Sequence, residues 1–145
     1  MSTAMQTDAV EVASHLRPIL LRLSRELRRE AEAFGITGGQ ATLLARIDTY
    51  GKVGLGELAA DEGVSAAAMS KHVDRLESAE LARRSPGGDR RRIEIELTPA
   101  GRRTLRRVRS HRTAWLAERL GRLDDGQLAA VENAIEPLAS LLETV

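Results

Sequence analysis

The stretch from Leu55 to Leu97 leaves little freedom for the rest of the fold, because it spells helix, tight turn, helix and hairpin in immediate succession. Leu55, Leu58 and Ala59 place an apolar face at i, i+3 and i+4. Gly63 is positioned to end that helix, since glycine reaches the left-handed conformation without a Cβ clash. Val64 fits an apolar plug between two helices. Ser65 fits an N-cap, its hydroxyl accepting from the free N–H groups of the next turn. The second helix is predicted to run to about Ala79, with Met69, Val73 and Leu76 facing inward. Ala67, Ser70, Lys71 and Asp74 then fall on the opposite face. Small residues near the N-terminus of a helix, followed by short polar or basic ones, suit close approach to the floor of a DNA major groove.

The hairpin is the second half of the signal. Leu81 to Arg84 reads as a short strand, Ser85-Pro86-Gly87-Gly88-Asp89 as turn chemistry, and Arg90 to Leu97 as the returning strand. In the return, Ile93, Ile95 and Leu97 alternate with Glu94 and Glu96. Arg90, Arg91 and Arg92 crowd its start, and guanidinium groups on a narrow projection suit the minor groove, where the potential is most negative. The pattern predicts a winged helix-turn-helix. The net charge of +1 does not announce a nucleic-acid partner, but its distribution does: Arg83 to Arg112 holds eleven arginines against Asp89, Glu94 and Glu96.

The chain resembles the MarR-type transcription factors in Gly63-Val64-Ser65, Val73-Asp74-Arg75-Leu76-Glu77, Asp89-Arg90-Arg91-Arg92 and Leu97-Thr98-Pro99-Ala100-Gly101. The acidic-basic wing followed by a strand and the Leu-Thr-Pro-Ala-Gly run is the specific part. The resemblance extends from about Val10 to the C-terminus. It implies a mainly α fold with a small β-hairpin wing, flanked by N- and C-terminal dimerisation helices. Residues 1–34 would be the N-terminal dimerisation helix, 35–98 the winged helix-turn-helix lobe that binds DNA, and 99–145 the C-terminal dimerisation helices, all in one structural domain.

The flanking segments fit that frame. A first helix is expected from about Asp8 to Ala33, with Val12, Leu16, Ile19, Leu20, Leu23 and Leu27 as one apolar seam. Pro18 lies inside it and either kinks it or marks a later start. Thr37 caps the next helix, whose inward residues are Ala41, Leu44 and Ile47. Thr37 and Gln40 either simply cap this helix or stand where its N-terminus receives a phosphate, the contact the resemblance implies. Lys52 to Gly54 is a link or a third strand. Thr98 and Pro99 open a long helix bearing Arg102, Arg103, Arg106, Arg107 and Arg109. Asp124 and Gln127 match a capping box for the last helix. There Leu128, Val131, Ile135, Leu138 and Leu142 step in heptad fashion. Helices this apolar at both ends of a small chain need a cover, and a second copy about a two-fold axis supplies one.

The expected function is that of a dimeric regulator on an inverted-repeat operator in double-stranded DNA. Ser65, Ala67, Ala68, Ser70, Lys71 and Arg75 are the candidates for groove and phosphate contacts. Arg91 is the minor-groove residue by resemblance, with Arg90 and Arg92 on phosphates. Asp89 is expected to hold Arg91 in place, because phosphate would repel a carboxylate there. His72 reads either as a flank residue or as a base reader. The resemblance also implies a repressor released by a small aromatic anion, bound between the dimer helices and the DNA-binding lobe. Candidates for that pocket are His15, Arg17, Ile19, Arg46, His111, Arg112 and Trp115, although His15 and His111 fit an ordinary interface equally well.

Other classes fare worse. There is no cysteine, hence no disulfide framework and no thiolate sensor. Three scattered histidines give no metal-ligand spacing, and no cofactor is expected. A glycine-rich phosphate loop and a His-Glu-x-x-His motif are both missing, so no enzyme is predicted. No apolar run is long enough to span a membrane, and the N-terminus lacks the layout of a signal peptide, so a cytoplasmic protein is expected. A winged-helix adaptor that ignores DNA is the alternative. It would carry a neutral wing, whereas this one has three consecutive arginines.

Overall fold

A computed structural model of the chain describes residues 8–88 and 92–143. Helix α1 (Ala9–Arg29) begins at Asp8, whose carboxylate accepts from the Val10 N–H at 2.9 Å. That cap fixes the first turn independently of Pro18, which lies inside the helix, so the later start is excluded. A 3-10 turn (Glu30–Phe34) follows. Helix α2 (Gly38–Tyr50) opens with a reciprocal pair of bonds: Thr37 Oγ1 accepts from the Gln40 N–H at 3.1 Å, and Gln40 Oε1 accepts from the Thr37 N–H at 2.8 Å. It buries Ala41, Leu43, Leu44 and Ile47.

Strand β1 (Lys52–Gly54), helix α3 (Leu55–Glu62) and helix α4 (Ala66–Ser78) come next. Between the helices, Gly63 takes φ of 65°, a conformation open to glycine because it has no Cβ. The Val64 N–H closes the turn on the Ala59 carbonyl at 3.0 Å. Val64 is not the plug its position suggested. With its backbone tied to α3, the side chain stays 38% exposed and lines a cleft with Leu43 and Met69.

Strands β2 (Ala82–Pro86) and β3 (Ile93–Leu97) complete an antiparallel sheet ordered β1-β3-β2. Strand β2 runs through Ser85 and Pro86, which the sequence placed in the turn; they pair with Glu94 and Ile93. Proline is tolerated because β2 is an edge strand and need not donate outward. The alternation of β3 holds for Ile95 and Leu97, both buried, but Ile93 is exposed where the hairpin extends past the core. The core joins Leu44 and Ile47 of α2, Val53 of β1, Leu58 of α3, Met69, Val73 and Leu76 of α4, and Ile95 of β3. Leu105 and Val108 of helix α5 (Pro99–Leu120) complete it.

The chain forms two compact units, one reaching to Arg109 and the other beginning at Ser110. The second contains the end of α5 and helix α6 (Asp125–Ser140). Asp124 and Gln127 form the expected capping box at the start of α6. The Arg119 guanidinium stacks on Trp115, 3.6 Å from the ring centroid. Neither α1 nor α6 has a single buried residue. No helix among the described residues is long and apolar enough to cross a membrane, and no cluster among them is suited to a metal ion.

Candidate nucleic-acid interface

Helix α4 is held by one face and offers the other. Met69, Val73 and Leu76 are sealed in the core. Ala67, Lys71, Asp74 and Arg75 are exposed, and Ala68 and Ser70 are half-buried. At its start, Ser65 Oγ accepts from the Ala68 N–H at 3.1 Å, so the predicted cap is in place. Small side chains at Ala66, Ala67 and Ala68 leave the first turn free of bulk.

The hairpin is bound to this helix by a residue that sequence reading passed over as a plain strand position. Arg84 Nη1 donates to Asp74 at 2.7 Å and to Glu77 at 2.6 Å. Its Nη2 donates to Ser70 Oγ at 2.9 Å and to the Ser70 carbonyl at 3.0 Å. Burial disfavours the charge on Arg84, but the hydrogen bonds and charges of Asp74 and Glu77 outweigh it, and the guanidinium pKa rises above its ordinary value. No local spacing links Arg84 to α4, since the pairing exists only once the strand has turned back. Ser70 is therefore engaged from within the fold.

Across the sheet, Glu96 sits between two cations, with Arg83 Nε at 2.6 Å and Lys52 Nζ at 3.8 Å. The hydrogen bond from Arg83 holds the Glu96 carboxyl below its usual range. Arg92 pairs with Glu57 at the start of α3. Asp89, Arg90 and Arg91 lie outside the described residues.

A cleft of about 350 Å³ runs beside α4. It brings together Thr37 and Gln40 of α2 and Arg75 of α4, three of the sequence-predicted residues. It also takes in Arg28 and His72. Arg28 comes from the last turn of α1, and nothing in the sequence ties it to residues more than a helix away. Ser65, Ala67, Ala68, Ser70 and Lys71 do not line the cleft. Of the ligand candidates, His15, Arg17 and Ile19 are exposed on α1, and Arg46 donates to Glu62 at 3.1 Å. These four do not line the cleft either. His111, Arg112 and Trp115 are half-buried in the second unit.

The MarR family model matches residues 36–93. The HTH-type transcriptional repressor MdtR of Bacillus subtilis is 27% identical over 135 residues, 92% of this chain and 87% of that protein. A solved structure of a candidate transcriptional regulator from Pseudomonas aeruginosa is 31% identical with a TM-score of 0.83, covering 94% of this chain and 96% of its own. That of a MarR family protein from Bacillus stearothermophilus is 25% identical with a TM-score of 0.76, covering 92% and 94%. The exposed α4, the hairpin braced against it and these likenesses agree: the chain belongs to the MarR family of winged helix-turn-helix transcriptional regulators.

Proposed function

We propose that this protein is a homodimeric repressor that binds an inverted-repeat operator and leaves it when a small aromatic or anionic ligand binds. The observation that carries the reading is α4 itself: an N-capped helix with its apolar side sealed in the core and alanines, Lys71 and Arg75 on its free side. A helix so presented fits the major groove. Ser65 would offer N–H groups to a phosphate at the helix start, and Lys71 would reach bases or neighbouring phosphates; Ser70, whose hydroxyl oxygen already accepts from Arg84, would have only its hydroxyl proton to donate there. Arg75, with the N-terminus of α2 at Thr37 and Gln40, would take the flanking backbone. Arg91 would enter the minor groove, with Asp89 steadying it and Arg90 and Arg92 on phosphates.

In this scheme residues 35–98 read DNA, while 1–34 and 99–145 join two subunits. The exposed apolar residues of α1 and α6 support that division. A dimer would set two copies of α4 about one DNA turn apart, roughly 34 Å. Repression is supported by the function of the relative MdtR. A ligand of salicylate size matches the cleft beside α4, which offers Arg28 and Arg75 to an anion and Leu43, Val64 and Met69 to a ring. The residues drawn from resemblance, His15, Arg17, Arg46, His111, Arg112 and Trp115, are the second place to look.

The test is an electrophoretic shift on the chain's own promoter region at two salt concentrations, with and without salicylate. Binding that weakens steeply with salt and prefers inverted repeats is expected. Indifference to every duplex at low salt would overturn the reading in favour of a protein adaptor. Binding without release by aromatic anions would remove only the ligand clause.

A further inference from the structure

Asp74 is out of place on a helix meant to approach phosphates. It lies on the free face of α4, one turn beyond Ser70 and Lys71, and Glu77 follows three residues later. Unopposed, two carboxylates there would repel the DNA backbone. Neither is unopposed. Both are hydrogen-bonded by the same guanidinium nitrogen of Arg84, which reaches across from β2, while its other nitrogen grips Ser70. One cation therefore engages both acids, halves their combined charge and ties the wing strand to the middle of α4.

We infer that Arg84 is the positioning residue of the DNA interface, offsetting part of the negative charge of Asp74 and Glu77 and fixing the wing relative to α4 without itself contacting DNA. The inference rests on the DNA-binding reading above. It assigns a role to the acids of α4 as well: they are the anchor points through which the wing is registered, tolerated there because Arg84 engages both carboxylates and offsets part of their charge.

Binding of the promoter fragment and of an unrelated duplex, followed by fluorescence anisotropy over a range of salt, tests it. Three proteins are compared with the wild type: Arg84→Met, Arg84→Met with Asp74→Asn and Glu77→Gln, and Asp74→Asn with Glu77→Gln alone. Thermal melts confirm that each is folded. Arg84→Met should lose about tenfold affinity for both duplexes at low salt, because like charges now face each other. The loss should narrow as salt screens them. The triple variant should recover low-salt affinity while still discriminating poorly between the two duplexes, since the wing is no longer registered. The double variant should bind both duplexes at least as tightly as the wild type and discriminate less.

If Arg84→Met and the triple variant lose affinity alike at every salt concentration, Arg84 is a plain strut and the inference fails. A salt slope that falls by about one phosphate in both would mean direct contact with DNA, and would also overturn it. Failure of the wild type to bind any duplex would instead reject the DNA-binding reading, so the two failures are distinguishable. If Arg84→Met does not fold, the double variant decides the matter: unchanged discrimination overturns the inference.

Discussion

A methyl group has no room at Gly101: a Cβ there would overlap the carbonyl oxygen of Leu81. Thr98 explains why the two segments come so close. Its N–H donates to the Leu81 carbonyl at 3.1 Å, and its hydroxyl donates to the Glu80 carbonyl at 2.6 Å and accepts from the Gly101 N–H at 3.0 Å. The first turn of α5 is thereby pressed onto the start of β2. Gly101→Ala should cost about 2 kcal/mol or more, because backbone rather than a flexible side chain must move; urea unfolding would measure it. Glu80 presents the opposite case. It holds φ of 60° after α4, where the Leu81 N–H returns to the Leu76 carbonyl at 2.9 Å. That geometry favours glycine and costs another residue roughly 1–2 kcal/mol. Glu80→Gly should therefore stabilise the protein by about 0.5–1 kcal/mol after the entropy of a freer unfolded chain is deducted. Glu80→Ala should give no such gain, since it keeps the strained conformation.

Among the elements, the sheet is tied by one carboxylate, Glu96 of β3, bonded to Arg83 of β2 and near Lys52 of β1. The hydrogen bond from Arg83 holds its folded pKa below the ordinary value of 4.5, so its stabilising contribution is present above that value and is lost as pH falls through the lower, folded one. The stability difference between the wild type and Glu96→Gln should therefore stay constant near neutrality and shrink only below pH 4.5. A difference that declined already between neutrality and pH 5 would refute the assignment. Glu96 also marks where sequence legibility ends. The helices were readable because their signals are local: Ser65 and Thr37 before apolar periods, Asp124 three residues before Gln127, Gly63 after a short helix. Contacts between elements were not. Glu96 looked like the polar half of an alternating strand, and Arg84 like its counterpart in the other. Their partners at Arg83, Lys52, Asp74 and Glu77 are set by strand register and by how α4 lies on the sheet, which no periodicity encodes. Pro86 misled for a related reason: proline signals a turn unless the strand is at an edge, and edges are a property of the assembled sheet.

For the molecule as a whole, the two end helices pose the energetic problem. Helix α1 has 21 residues and α6 has 16, and neither buries any residue in the single chain. Val12, Ile19, Leu20 and Leu23 on α1 and Leu128, Val131 and Ile135 on α6 remain between 38% and 63% exposed. Helical propensity alone does not sustain helices of this length in water; packing of an apolar face does, and apolar stripes this long mark an interaction surface. If the proposed homodimer is their cover, folding and association are one equilibrium. The melting temperature should then rise with protein concentration, because the partner acts as a ligand of the native state. Leu20→Asp and Ile135→Asp should each shift the sedimentation mass towards a single subunit and lower the melting temperature. Each should also weaken binding to a full inverted repeat far more than binding to a half-site, since only the former needs two linked copies of α4. A wild-type melting temperature independent of concentration, with a single-subunit mass throughout, would mean that these faces are covered by something other than a second copy.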